Sequence, residues 1–218
     1  MSKQHILLLG STGPTGLLFA EAALKEGYQL TLFVRNPSKL PARITNNSSV
    51  TTIQGELSQK DRLEQAARSG ATVLVSFLGP ASGHKGTPIS DGYKLLFPLL
   101  IQNKFTRALV LATPSWHAPE DTVTLKWKLV AGSIWLMANS AYTDIVAIGN
   151  YVASIPLDKI SWTVFRVPIL SNAEAANVVN AGYLGEAGMK LSRASMAKWV
   201  LGELEAAKWI GKGPTLWE

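Results

Sequence analysis

The stretch HILLLGSTGPTGLLFAEAALKEGYQLTLFVRN (residues 5–36) decides the fold of this 218-residue chain. Ile6 to Leu9 is a short apolar run of the kind a strand buried on both faces needs. A glycine-rich turn follows at once, and then Leu17, Ala20 and Leu24 recur at helical spacing. Gly27 ends that helix and Leu30 to Val34 forms the next strand. The glycines stand as G-x-x-G-x-x-G, and each has a mechanical reason. Gly10 turns the chain sharply off the strand, Gly13 lets backbone approach a pyrophosphate, and Gly16 lets the helix lie close to the sheet. The helix start offers unpaired N–H groups and partial positive charge to phosphates, and Ser11, Thr12 and Thr15 add hydroxyls. Gly10, Thr12, Gly13, Pro14, Thr15 and Gly16 are therefore candidate dinucleotide contacts.

The end of the second strand selects the dinucleotide. An Asp or Glu there would hold the ribose 2′-OH of NAD. This chain reads Phe33-Val34-Arg35-Asn36-Pro37-Ser38-Lys39, without a carboxylate. Arg35 can contact a 2′-phosphate in bidentate fashion, assisted by Ser38 or Lys39, so the expected cofactor is NADP(H).

Composition narrows the class. A chain of 218 residues with 47% apolar content suits one domain with a sizeable core. Cysteine is absent, which removes disulfides, thiolate metal sites and a cysteine nucleophile. His5, His84 and His117 lack metal-ligand spacing. The net charge of +6 is scattered and accompanies no nucleic-acid motif, so an anionic dinucleotide is the simpler partner. No leader is legible at the start, and the longest apolar stretch, 129–138, is too short to span a bilayer. The expectation is a cytoplasmic protein without membrane or nucleic-acid partners.

The rest of the chain repeats the strand–helix alternation. Residues 37–48 read as a linker, Val50–Ile53 as the third strand, Asp61–Arg68 as a helix and Thr72–Phe77 as the fourth strand. Ligands of open α/β sheets sit outside the strands' carboxyl ends. That rule places Glu56 and Leu57 beside the adenine, and Leu78 and Gly79 beside the middle of the dinucleotide. A glycine-rich loop, 81–88, lies over the site, and Ile89–Asn103 reads as a helix kinked at Pro98. After the fifth strand, Ala108–Leu111, Thr113 and Ser115 either contact substrate or serve a Thr-Pro-Ser turn, and both readings stay open. The segment 122–155 reads as two helices broken near Asn139-Ser140, and its Trp, Met and Tyr residues form core, a substrate wall or a homodimer interface. Trp162–Val167 is the sixth strand, 171–188 a substrate-side loop, Met189–Ser192 a short strand and Ser195–Ala207 the last helix. The tail 209–218 packs back on the body. The whole, 1–218, reads as a single doubly wound α/β Rossmann domain with substrate-side segments at 113–155 and 168–190.

These motifs carry a family resemblance. GSTGPTG (10–16), VRNPSKL (34–40), QGEL (54–57), FLGP (77–80), FRVPIL (165–170) and LSRASMAKW (191–199) resemble the NmrA-like, NAD(P)H-binding branch of the atypical short-chain dehydrogenase/reductases. Within it the chain looks most like the biliverdin-IXβ/flavin reductase group and small fungal averufin-oxidase-type proteins of secondary metabolism. The resemblance implies cofactor contacts at the glycine turn, Arg35, Glu56, Leu57, Leu78 and Gly79, and places Thr113, Ser115, Pro168 and Ile169 near the nicotinamide. Glu56 stands where Asp is more usual.

The Tyr-x-x-x-Lys pair of typical short-chain dehydrogenases is missing, because none of the five tyrosines has Lys four residues on. Lys there would lower the Tyr pKa for proton exchange. The reading that follows is an NADPH-dependent reductase of an aromatic or polyketide-like small molecule, such as a quinone, flavin or secondary metabolite. Thr113 or Ser115 would polarise the acceptor. A redox-neutral isomerase, cyclase or dehydratase and an NADP-sensing regulator are the alternatives.

Overall fold

A strand with neighbours on both edges and helices on both faces must be apolar throughout. In β1 (His5–Leu9), Ile6, Leu7, Leu8 and Leu9 are all buried. Ile6 and Leu8 enter one core and Leu7 and Leu9 the other, following the two-residue period of a strand. The computed structural model describes residues 3–80, 83, 85–122 and 124–218. Around β1 stand β2 (Gln29–Val34), β3 (Val50–Gln54), β4 (Val73–Ser76), β5 (Arg107–Ala112) and β6 (Ser161–Arg166), all parallel, in the order β3-β2-β1-β4-β5-β6. The order changes direction between β1 and β4, which opens a crevice at their carboxyl ends. This is the doubly wound α/β architecture that the sequence leads one to expect.

Helices α1 (Pro14–Lys25) and α7 (Arg193–Ala206), with the short α2 (Ala42–Thr45), cover one face of the sheet. The other face carries α3 (Lys60–Ala67), α4 (Pro88–Gln102) and α6 (Asn139–Ala153). Helix α5 (Leu125–Met137) precedes α6, and the break between them falls at Ala138, beside the expected position. Pro98 sits inside α4 without ending it.

Several local expectations need correction. The buried face of α1 is Thr15, Gly16, Phe19, Ala20 and Ala23, with Leu17 and Leu24 only half-buried, because α7 lies directly against this helix. The supposed linker 37–48 holds a 3-10 turn at Pro37–Lys39 and then α2, whose Ile44 is buried. The turn begins where the Asn36 side chain accepts the Ser38 N–H at 3.0 Å. The tail does more than pack back. Thr215–Trp217 forms β10, which joins the sheet parallel to β6 and pairs antiparallel with β8 (Asn180–Gly182), inside the segment read as a loop. The expected strand near Met189 is β9 (Lys190–Ser192), paired with β7 (Ile169–Ser171) in a separate two-stranded sheet. Of the loop 81–88, residues 81, 82 and 84 lie outside the described residues, and α4 begins at Pro88.

One buried ion pair ties the far wall together. Asp121 and Arg166 are both sealed from solvent. The two Asp121 oxygens accept from both terminal nitrogens of Arg166, from Ala118 N–H at 2.8 Å and from Leu184 N–H at 3.0 Å. Arg166 Nη1 also donates to the Trp116 carbonyl at 3.2 Å. Trp116 is wedged so closely that a Cβ at Gly149 would come within 2.2 Å of its ring. Its indole N–H donates to Asn150 Oδ1 at 3.1 Å. The pair thus joins the end of β6, the loop after β5 and the segment before β9. Asp121→Ala leaves a buried guanidinium without its counter-charge and is expected to cost about 3–5 kcal/mol of stability in urea unfolding. Replacing both partners by apolar residues, Asp121→Leu with Arg166→Met, is expected to recover most of that loss. A single-variant loss below about 1 kcal/mol, the range of an exposed pair, would contradict this role.

Candidate cofactor and substrate site

The glycine turn is shaped by two contacts that exclude a side chain. Gly10 has φ +79°, and a Cβ there would lie 2.9 Å from the Phe77 carbonyl carbon at the end of β4. A Cβ at Gly16 would lie 2.2 Å from the Gly10 carbonyl oxygen, so the first turn of α1 rests directly on the strand's exit. At Gly13 the nearest atom would be 3.4 Å away, which leaves room above the helix start. Gly13 is the N-cap, and no side chain caps it. The first amides of α1 are therefore available to an anion. Pro14 occupies the first helical turn and Thr15 is buried beneath it. Ser11 departs from expectation: its hydroxyl is buried with no hydrogen-bond partner among the described residues, while Thr12 presents a side chain to the crevice.

The crevice is a cavity of about 440 Å³. Of the expected cofactor contacts, Gly10, Thr12, Arg35, Glu56, Leu57, Leu78 and Gly79 line it, whereas Gly13, Pro14, Thr15 and Gly16 do not. Gln54 steadies the adenine end by donating to the Arg35 carbonyl at 3.2 Å, and Gln59 accepts the Glu56 N–H at 2.8 Å. Ser38 is not brought to the wall; its hydroxyl donates instead to Asn36 Oδ1 at 2.7 Å. Asp91, which sequence reasoning missed, does line the cavity from the first turn of α4. Hydrogen bonds from Lys94 and Thr87 hold its carboxyl below the usual range. An uncapped helix start, a Gly13 at which a Cβ would meet only the Gly10 carbonyl oxygen, and a cation at the end of β2 fit NADP(H), which Gly10, Thr12 and Arg35 would hold.

A second cavity, of about 230 Å³, lies beside the first. Leu78 and Gly79 line the cofactor cavity and Pro80 the second, so the two adjoin along this strand exit. Thr113 and Ser115 enter from the end of β5, and Pro168 and Ile169 from the end of β6. Trp127, Tyr142 and Ile145 form the wall contributed by α5 and α6. The turn reading of Thr113 and Ser115 is seen directly, and both residues also line the cavity. Thr113 Oγ1 accepts the Ser115 N–H at 3.3 Å, and the Thr113 carbonyl accepts the Trp116 N–H at 3.1 Å, which is turn chemistry. The Ser115 hydroxyl nevertheless has no partner among the described residues and lines the cavity.

Tyr142 is one of the aromatic residues that the sequence left between core, wall and interface, and the structure puts it on the cavity wall, beside Ala141 and Ile145, which the sequence reading did not name. Its only signal was membership in the aromatic segment 122–155, where spacing alone cannot separate core from wall. Tyr93, by contrast, is buried with its hydroxyl 2.6 Å from Ser76 Oγ, and burial pushes its phenol upward, away from proton exchange. Asp144 serves structure: its carboxylate accepts the N–H groups of Ile89 and Ser90 at 3.1 and 2.9 Å, which caps α4 from α6. Among the described residues no cluster suited to a metal ion occurs and no helix is long and apolar enough to cross a membrane.

The fold recurs in solved structures. The ChuY anaerobillin reductase of Escherichia coli O157:H7 superposes with a TM-score of 0.80 at 13% identity, over 98% of this chain and 96% of that one. A short-chain dehydrogenase/reductase from Veillonella parvula in complex with NADP gives 0.78 at 19% identity, covering 99% and 94%. The oxidoreductase ylbE of Lactococcus lactis gives 0.76 at 16% identity, covering 98% and 90%. At such identities the likeness speaks for the fold. The NAD(P)H-binding family model matches residues 10–207, from the first glycine of the turn to the end of the last helix. The resemblance drawn from the sequence motifs is thereby upheld, and the chain belongs to the NAD(P)H-binding family.

Proposed function

We propose that the protein is an NADPH-dependent reductase of an aromatic or polyketide-like small molecule. The observation that carries this reading is the junction of two cavities at Leu78–Pro80: one has dinucleotide-binding features, and the other is apolar and set with hydroxyls. When bound, the cofactor supplies a hydride, which with one proton converts an acceptor carbonyl to a hydroxyl and leaves NADP⁺. The protein holds the acceptor against the nicotinamide end. Trp127, Ile145 and Pro168 would cover its faces and keep water out. Ser115 Oγ would donate a hydrogen bond to the carbonyl oxygen, with Thr113 shaping the turn that aims it. The proton would come from a cavity hydroxyl or from water, since no Lys stands four residues after any tyrosine.

Two measurements test this. Arg35→Ala should weaken NADPH binding about 10- to 100-fold and leave NADH unchanged, because hydrogen bonds to a charged group contribute about 1.5–3 kcal/mol. Equal weakening of both dinucleotides would show that Arg35 does not read the 2′-phosphate. In turnover, a panel of quinones, flavins and aromatic ketones should include an acceptor that consumes NADPH. Ser115→Ala should then lower kcat/KM about 10²-fold without changing NADPH affinity. A panel that never consumes NADPH would overturn the reductase reading, and product formed at constant nicotinamide absorbance would favour redox-neutral chemistry.

A further inference from the structure

We infer that the second cavity selects small, planar, uncharged carbonyl compounds and rejects acceptors that carry a carboxylate, sulfonate or phosphate. This rests on the reductase reading and names its substrate class. Charge is segregated between the two cavities. Arg35, Glu56 and Asp91 all line the cofactor cavity, whereas none of the described residues lining the second cavity is charged. Arg166, at the end of β6, lies 5.7 Å from the centre of the Trp116 ring and is already held by Asp121. An anionic group entering the second cavity would lose its hydration and gain no counter-charge, at a cost of several kcal/mol.

Size and shape point the same way. A cavity of about 230 Å³ is smaller than the range of about 300–1,000 Å³ common for drug-sized ligands, so it suits a compact molecule. Its walls are built from rings, with Trp127 and Tyr142 on one side and Pro80 and Pro168 among the rest. Among the described residues, the hydroxyls of Thr113, Ser115 and Tyr142 and the indole N–H of Trp127 are the polar side-chain groups of its lining residues, all of them neutral. Those of Ser115 and Tyr142 have no partner among the described residues. Hydroxyls can donate to one neutral carbonyl oxygen, but they cannot neutralise a full negative charge.

The test uses a matched pair, 1,4-naphthoquinone and its 2-sulfonate. The chain has no cysteine to form thiol adducts with either compound. Binding to the NADP⁺-loaded protein is measured by equilibrium dialysis, and reduction is followed separately with NADPH. The neutral quinone should bind at least about 10²-fold more tightly than the sulfonate. Ile169→Arg should restore sulfonate binding, because this side chain lines the cavity yet is 66% exposed and can carry a charge without burying it. Equal binding of the two quinones, or binding of neither, would overturn the inference. If the neutral quinone binds selectively but neither compound consumes NADPH, the selectivity stands and the reductase reading fails.

Discussion

The close approach of α1 to the exit of β1 is the constraint from which the site follows. With Gly16 resting on the Gly10 carbonyl, the helix start is brought to the crevice between β1 and β4. A methyl group at either glycine would push the helix away from the strand or close the crevice against the end of β4. The uncapped amides, the cavity beside them and the position of Arg35 on the next strand all depend on that contact. Because the strands are parallel, every carboxyl end opens on the same side, so the β5 and β6 exits reach the same region without further design.

Two buried ion pairs secure the β5–β6 part of the sheet, one at each end of the strands. Arg107 opens β5 and donates to Glu203 Oε1 at 3.1 Å and to Thr163 Oγ1 at 2.7 Å. Glu203 Oε1 also accepts the Trp209 N–H at 2.7 Å, which anchors the tail before it enters the sheet as β10. Burial draws the Arg107 guanidinium down to about 10, with Glu203 opposing the shift. At the other end Arg166 closes β6 and meets Asp121. Among the described residues neither pair is fully satisfied, for the Nε atoms of Arg107 and Arg166 are both buried without a partner there. Such pairs contribute to the choice of register and connection more than to raw stability. Here the Asp121–Arg166 pair holds the strand exits that carry Thr113, Ser115 and Pro168, and neither pair places a charge among the described residues lining the second cavity.

Much of the cofactor site was legible because its determinants are local. A glycine turn between a strand and a helix, a cation at the next strand's end and the exits of β3 and β4 each occupy a few consecutive residues. The exceptions are instructive. Ser11 and Ser38 looked like ligand donors, but one hydroxyl is turned inward and the other bonds to Asn36. Side-chain direction in a turn depends on backbone angles that residue type alone does not specify. Asp91 was passed over, and Tyr142 was left between core, wall and interface, because each sits on a helix whose exposed and buried faces are settled only by what packs beside it.

By itself, then, the sequence determined the doubly wound class, the dinucleotide-binding turn and the absence of a Tyr-Lys pair, since all three follow from short spacings. Tertiary structure decided the rest. Strands as short as β8 and β10 carry too little periodicity to be read, and they exist through pairing between residues far apart in the chain. Asp121 and Arg166 are 45 positions apart, and nothing in either neighbourhood announces the other. Which aromatic residues of 122–155 line a cavity, and that charge is confined to the neighbouring one, depends on how α5 and α6 lie over the strand exits. That is set by burial summed over the whole fold and by no single motif.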